Sequence, residues 1–161
     1  MAEVGFYIRI EGLDGLLANL QAVDASLRGA AASRVLYAGA QTIQRYAKLN
    51  IETGPKTGRT YRLGAIRRGG AVVGYKFHRA SAPGESPATD TGKLVNSIRS
   101  RKGNEWAMVY VSASYGGPLE FGTGRMAARP FLRPAYEKHK DEVLKAMADQ
   151  ASAELAQAVR G

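Results

Sequence analysis

From Val4 to Ile10 the chain alternates, with Phe6, Ile8 and Ile10 set against Tyr7 and Arg9, and a period of two predicts a half-buried strand. Gly12 interrupts it, and Asp14 is placed to cap a helix beginning at Gly15. From Gly15 to about Asn50 the period lengthens: Leu16, Leu20, Val23, Leu27, Ala31, Val35, Ala38, Ile43 and Ala47 recur at steps of three to five residues, near one helical face. The run is rich in alanine and free of proline, which predicts one long helix or two in tandem, with Gly29 and Gly39 as places to bend or break. Thr53 to Gly74 loses the stripe. It is glycine-rich and basic, and reads as a projecting loop or a ragged hairpin with strands at Tyr61–Leu63 and Val72–His78.

Residues 80–90, ASAPGESPATD, hold two prolines and a glycine among small side chains and should cross the surface as an extended connector. Thr89 or Asp90 then caps a short helix that buries Leu94, Val95 and Ile98. In Glu105–Ala113, EWAMVYVSA, Trp106, Met108 and Tyr110 alternate with Ala107, Val109 and Val111. Both faces are apolar, which places this strand centrally in its sheet. The last helix is expected to start at Pro134, a residue that suits a first turn, with Val143, Leu144, Met147, Ala151, Leu155 and Ala158 as its buried stripe through Val159. The expected fold is α+β: a small antiparallel sheet packed by a long N-terminal helix and a C-terminal helix, with a basic loop or hairpin projecting. At 161 residues this is one domain, with 53–79 as the arm and 80–90 as the connector.

Composition narrows the chemistry. The absence of cysteine removes disulfides, thiol catalysis and cysteine-ligated metals, and leaves the redox compartment undetermined. No apolar run has the length of a signal peptide or a membrane span, so a soluble protein is expected in the compartment where it is made. The net charge of +9 is unevenly spread. Residues 1–52 carry five bases and five acids, and residues 104–161 seven of each. Residues 53–103 carry eleven bases against Glu85 and Asp90. Lys56, Arg59, Arg62, Arg67, Arg68, Lys76 and Arg79 are the candidates for contact with DNA or an acidic surface. Tyr61, Tyr75 and Phe77 lie among them, either pinning a solvated loop to the domain or displayed for stacking.

Catalytic readings do not assemble. GPKTGRT, Gly54–Thr60, has too short a spacing for a phosphate loop and carries arginine where lysine belongs, and FGTGR lacks the third glycine of a dinucleotide fingerprint. His78 and His139 have no ligand spacing around them, and Ser81, Ser86, Ser97 and Ser114 read as turn or cap residues. No catalytic, cofactor or metal site is expected.

YGGPLEFGTGRMAARPFLRPA, Tyr115–Ala135, packs four glycines, three prolines and three arginines around Phe121 and Phe131. Leu119–Phe121 reads as a strand end, with Gly122 and Gly124 turning the chain. Arg129 and Arg133 precede prolines and should be extended, so that ARPFLRP forms a stiff hook. Phe131 and Leu132 then either pack under their own domain or are offered to a neighbouring subunit, with Arg129 and Arg133 pairing with carboxylates such as Glu120.

HRASAPGESPATDTGKLVNSI, His78–Ile98, succeeded after a strand by Tyr115–Ala135, resembles the tail-component family of tailed bacteriophages, whose members lie where head joins tail. The resemblance extends upstream to AKLNIETGPKTGR; LGAIRRGGAVVGYK, Leu63–Lys76, falls outside its familiar pattern. It implies a virion structural protein without catalytic activity, a neck, tail-completion or minor tail protein made in the bacterial cytoplasm. Such a protein forms a ring, hexameric by preference, between the head connector or head-closure protein and the tail-terminator or tail-tube proteins, through which the genome passes. Glu120, Phe121, Gly122, Arg129, Pro130 and Phe131 are the implied structural signature of an inter-subunit or fold-closing element, and with Leu132 and Arg133 the candidate subunit interface. A module that binds nucleic acid non-specifically through residues 53–103 is the alternative.

Overall fold

The computed structural model describes residues 4–6, 25–104 and 106–160. Strand β1 (Val4–Phe6) precedes helix α1 (Ala25–Thr53); β2 (Thr60–Arg68) and β3 (Ala71–Arg79) form a hairpin. Helix α2 (Lys93–Ser97) leads into β4 (Ile98–Gly103) and β5 (Trp106–Val111), and then come α3 (Gly116–Phe121), α4 (Leu132–Lys138) and α5 (Lys140–Arg160). The architecture is the expected α+β one. An antiparallel sheet of order β1-β5-β4 has β5 at its centre, as its two apolar faces required. The hairpin is a separate antiparallel pair.

Among the described residues helix α1 runs unbroken through Gly29 and Gly39, the two places to bend or break, for 29 residues, about 43 Å. It packs against β4 and β5 of the sheet and against α5. Ala31, Val35, Ala40, Ile43, Ala47 and Ile51 supply its buried face, and they meet Ile98, Val109 and Val111 of the sheet and Val143, Met147 and Ala151 of α5 in a single core. The expected apolar positions at Leu16, Leu20 and Val23, the side chain of Leu27, and the strand positions after Phe6 lie outside the described residues.

Several local expectations are corrected. The short helix α2 is entered through Gly92, with no side-chain cap from Thr89 or Asp90, and Ile98, fully buried, is the first residue of β4. The last helix starts at Leu132, two residues before Pro134, and breaks at His139. The break has an electrostatic signature: Asp141 and Glu142 stand in the first turn of α5, where the positive end of the helix dipole favours carboxylates. Leu144 is exposed, because one step from buried Val143 turns 100° off the stripe, and Glu154 takes a buried stripe position beside Ala151. The Arg34 guanidinium meets Glu154 through two bonds of 2.6 Å and holds its carboxyl below the usual range, so the α1–α5 seam closes on an ion pair.

Where α1 and α5 cross, a side chain on Gly39 would stand 2.8 Å from Met147 Sδ and 3.4 Å from Val143 Cγ1. Replacing Gly39 with Leu should overpack this crossing and lower stability by about 1–3 kcal/mol, read as a shift of the urea midpoint without a change in slope.

Candidate functional site

The two motif stretches, separated in sequence by β4 and β5, are one unit in space. Gly84 N–H donates to the Ala128 carbonyl at 2.9 Å, Ser86 Oγ to the Pro130 carbonyl at 3.1 Å, and Arg129 Nε to the Ser81 carbonyl at 3.3 Å. Both stretches line an open groove of about 350 Å³ beside the root of the hairpin, bounded by His78, Ser81, Asp90, Leu94, Leu119 and Arg129.

Glu120 fastens this unit. It is 4% exposed, near the end of α3, and its carboxylate accepts the backbone N–H groups of Phe131, Leu132 and Arg133 at 2.8–2.9 Å. The first N–H groups of a helix have no intrahelical partner, so the carboxylate satisfies the orphan donors of α4 and meets the positive end of its dipole. Glu120 therefore pairs with backbone, and not with Arg129 or Arg133 as the reading of this segment as a subunit interface offered. Arg133 instead lies 3.9 Å from Glu137 on the surface, an exposed pair that contributes little.

The stretch also departs from the expected strand and extended hook. Leu119, Glu120 and Phe121 are helical, and Gly122 ends that helix with its N–H on the Pro118 carbonyl. Arg133 is helical although a proline comes next, since the Glu120 clamp holds the first turn of α4 in place against the pre-proline preference. Phe131 is fully buried and Leu132 nearly so, both inside their own domain. Of the interface candidates, Phe121 and Arg133 face outward, Gly122, Arg129 and Pro130 are half-buried, and Glu120, Phe131 and Leu132 close the fold. FGTGR is a tight turn in which Thr123 and Met126 exchange backbone bonds of 2.8 and 3.2 Å.

The basic candidates lie on the hairpin and its root. Across the tip, Gly69 and Gly70 both have positive φ, 57° and 85°, the backbone that a two-residue turn between twisted strands demands. The hairpin packs substantially on no other described element. Tyr61, Leu63, Ile66, Val72, Val73, Tyr75 and Phe77 are all exposed, seven of the twelve large apolar side chains exposed among the described residues, so the aromatic residues do not pin the arm to the domain. Residues 56–79 hold seven bases and no acid. Arg62 stacks over the Tyr75 ring at 4.6 Å and Arg59 over Tyr61 at 5.7 Å. Sequence reasoning placed these charges together; it missed the root, because the acid that organises it is remote. Glu85 accepts from the Thr57 hydroxyl and from the backbone N–H groups of Ala82 and Thr57.

Among the described residues no group of three His, Asp or Glu side chains is placed to hold a metal, and no helix is long and apolar enough to cross a membrane. His139 sits at the α4–α5 break with its ring stacked on Tyr46 at 3.5 Å. Compared with protein-family models, with curated proteins and with solved structures, the chain matches none.

Two measurements check this geometry. Glu120→Ala strands two buried backbone donors and should cost roughly 2–5 kcal/mol in denaturant unfolding, while Glu120→Gln, which keeps one acceptor oxygen, should cost less. The bonds from the Thr57 hydroxyl, then Ala82 and Thr57 N–H, hold the Glu85 carboxyl below its ordinary value of 4.5. The root thus gains from ionised Glu85 at every pH above that value, and the gain is lost as pH falls through the depressed folded value. Amide shifts of Thr57 and Ala82 should titrate together below pH 4.5, and Glu85→Gln should abolish the transition.

Proposed function

We propose that this chain is a structural subunit of the head-to-tail joining region of a tailed bacteriophage, a neck or tail-completion protein. It assembles as a ring, sixfold by preference, between the head connector and the tail, and it lets the genome pass. It is made in the cytoplasm of the bacterial host and ends in the virion. Its role is architectural, without catalysis.

The observation that carries the reading is the union of the two motif stretches. The resemblance rests on His78–Ile98 and Tyr115–Ala135 occurring in that order, and these same stretches are hydrogen-bonded into one platform at the base of the arm. A platform closed by a buried carboxylate is a rigid mount, and a rigid mount loses little entropy when a neighbour docks on it. Phe121 and Arg133 stand on its outer side, with Phe121 64% exposed, in reach of an adjoining copy. A ring uses two different patches of each subunit, head to tail, and closes on itself. The outward residues of this platform supply one patch and the exposed end of β5 at Trp106 offers another.

Purified protein should associate weakly alone and form closed rings on connectors or tail tubes, seen by light scattering and negative-stain imaging. A strict monomer that ignores both connector and tail would sink the reading.

A further inference from the structure

The arm, β2 and β3 with their glycine turn, carries chemistry that ring closure does not use. Two-stranded hairpins are marginally stable in water, and this one displays large apolar side chains without packing on the body. Its charge is distributed in a way that selects among partners. Paired residues in a ribbon share a face, and neighbours in sequence point to opposite faces. Arg62 lies opposite Phe77 and therefore shares a face with Arg79, whereas Lys76 points the other way, and adjacent Arg67 and Arg68 divide between the faces at the tip. Both faces and the tip are basic, and neither face holds an acid.

A flat acidic protein surface offers its carboxylates to one face of the ribbon alone, whereas the two phosphate walls of a groove flank the ribbon and are within reach of long basic side chains from either face. A second copy of this chain fits no better, because its exposed acids form no acidic patch in sequence: Glu137, Asp141 and Glu142 are interleaved with Lys138, Lys140 and Lys145, and Glu52, Asp90 and Asp149 stand singly. The major groove of duplex DNA is about 12 Å wide, admits a two-stranded ribbon and presents phosphates along both walls. We propose that the arm, Thr60–Arg79, docks in a groove of duplex DNA, its arginines on the phosphates of both walls and the exposed rings of Tyr75 and Phe77 against the groove interior. The turn of two glycines keeps the leading end free of side chains, and nine-residue strands give a reach of about 30 Å. The contact is sequence-independent in its main energy and strongly dependent on salt. It concerns the arm of a single chain and stands whether or not the ring reading does.

The test is fluorescence anisotropy of the full chain with a labelled duplex of about 30 base pairs, between about 50 and 200 mM salt. Binding should be clear at the low end and fall steeply with salt. Arg62→Ala/Arg67→Ala/Arg68→Ala should weaken it by about tenfold or more and flatten the log–log salt slope by about 2–3, whereas Lys138→Ala/Lys140→Ala/Lys145→Ala, which removes equal charge from the body, should change it by less than about twofold. If the triple arm variant unfolds the hairpin, Arg67→Ala/Arg68→Ala at the tip gives the same reading with a slope change of about 1–2. Undetectable binding at low salt overturns the proposal, as does equal loss from the arm and body variants. Polyglutamate binding as tightly as DNA also overturns it and assigns the arm to an acidic protein surface.

Discussion

A buried carboxylate needs its oxygens filled, and the first turn of a helix needs acceptors; Glu120 answers both demands at once. The bond ties α3 to the start of α4 and sets Phe131 and Leu132 into the core beneath α1. With that corner fixed, Ala128, Arg129 and Pro130 are held against Ser81, Gly84 and Ser86, and the connector can neither lift nor slide. The arm root is anchored in turn, as Gly58 N–H donates to the Ala80 carbonyl, Ala80 N–H donates to the Arg59 carbonyl, and Glu85 gathers Thr57 and Ala82.

Periodicity made the body legible. The four-residue spacing of Ala31, Val35, Ile43 and Ala47, and the two-residue alternation of Trp106–Val111, each name a buried face that packing then uses. The hairpin was legible in outline from Gly69-Gly70 and the flanking apolar residues, though its strands extend beyond Tyr61–Leu63 and Val72–His78. The elements that escaped were governed by distant partners. Local rules gave Leu119–Phe121 as a strand and Arg133 as extended; a carboxylate eleven to thirteen residues from the amides it binds overrides both, and no window of sequence contains that fact. The fresh helix start after His139 carries a mark in sequence, Asp141 and Glu142 in its first turn, that hydrophobic spacing ignores.

The same distinction separates the two halves of the functional reading. The arginines of the arm cluster in sequence and remain clustered in space, so charge was readable from composition. For the hook at ARPFLRP the sequence left two readings open, and the one with Phe131 and Leu132 packed under their own domain holds, leaving Phe121 and Arg133 as the outer surface of the same motif.

The arm is bound to itself. Its strands pair only with each other, and its bulges near Leu63 and Val73 are absorbed within the ribbon. Adding or deleting one cross-strand pair therefore lengthens or shortens the projection by about 3.4 Å while every contact of the core stays as it is. The hairpin is a ruler that can be recut without refolding the body, which allows one scaffold to span gaps of different depth.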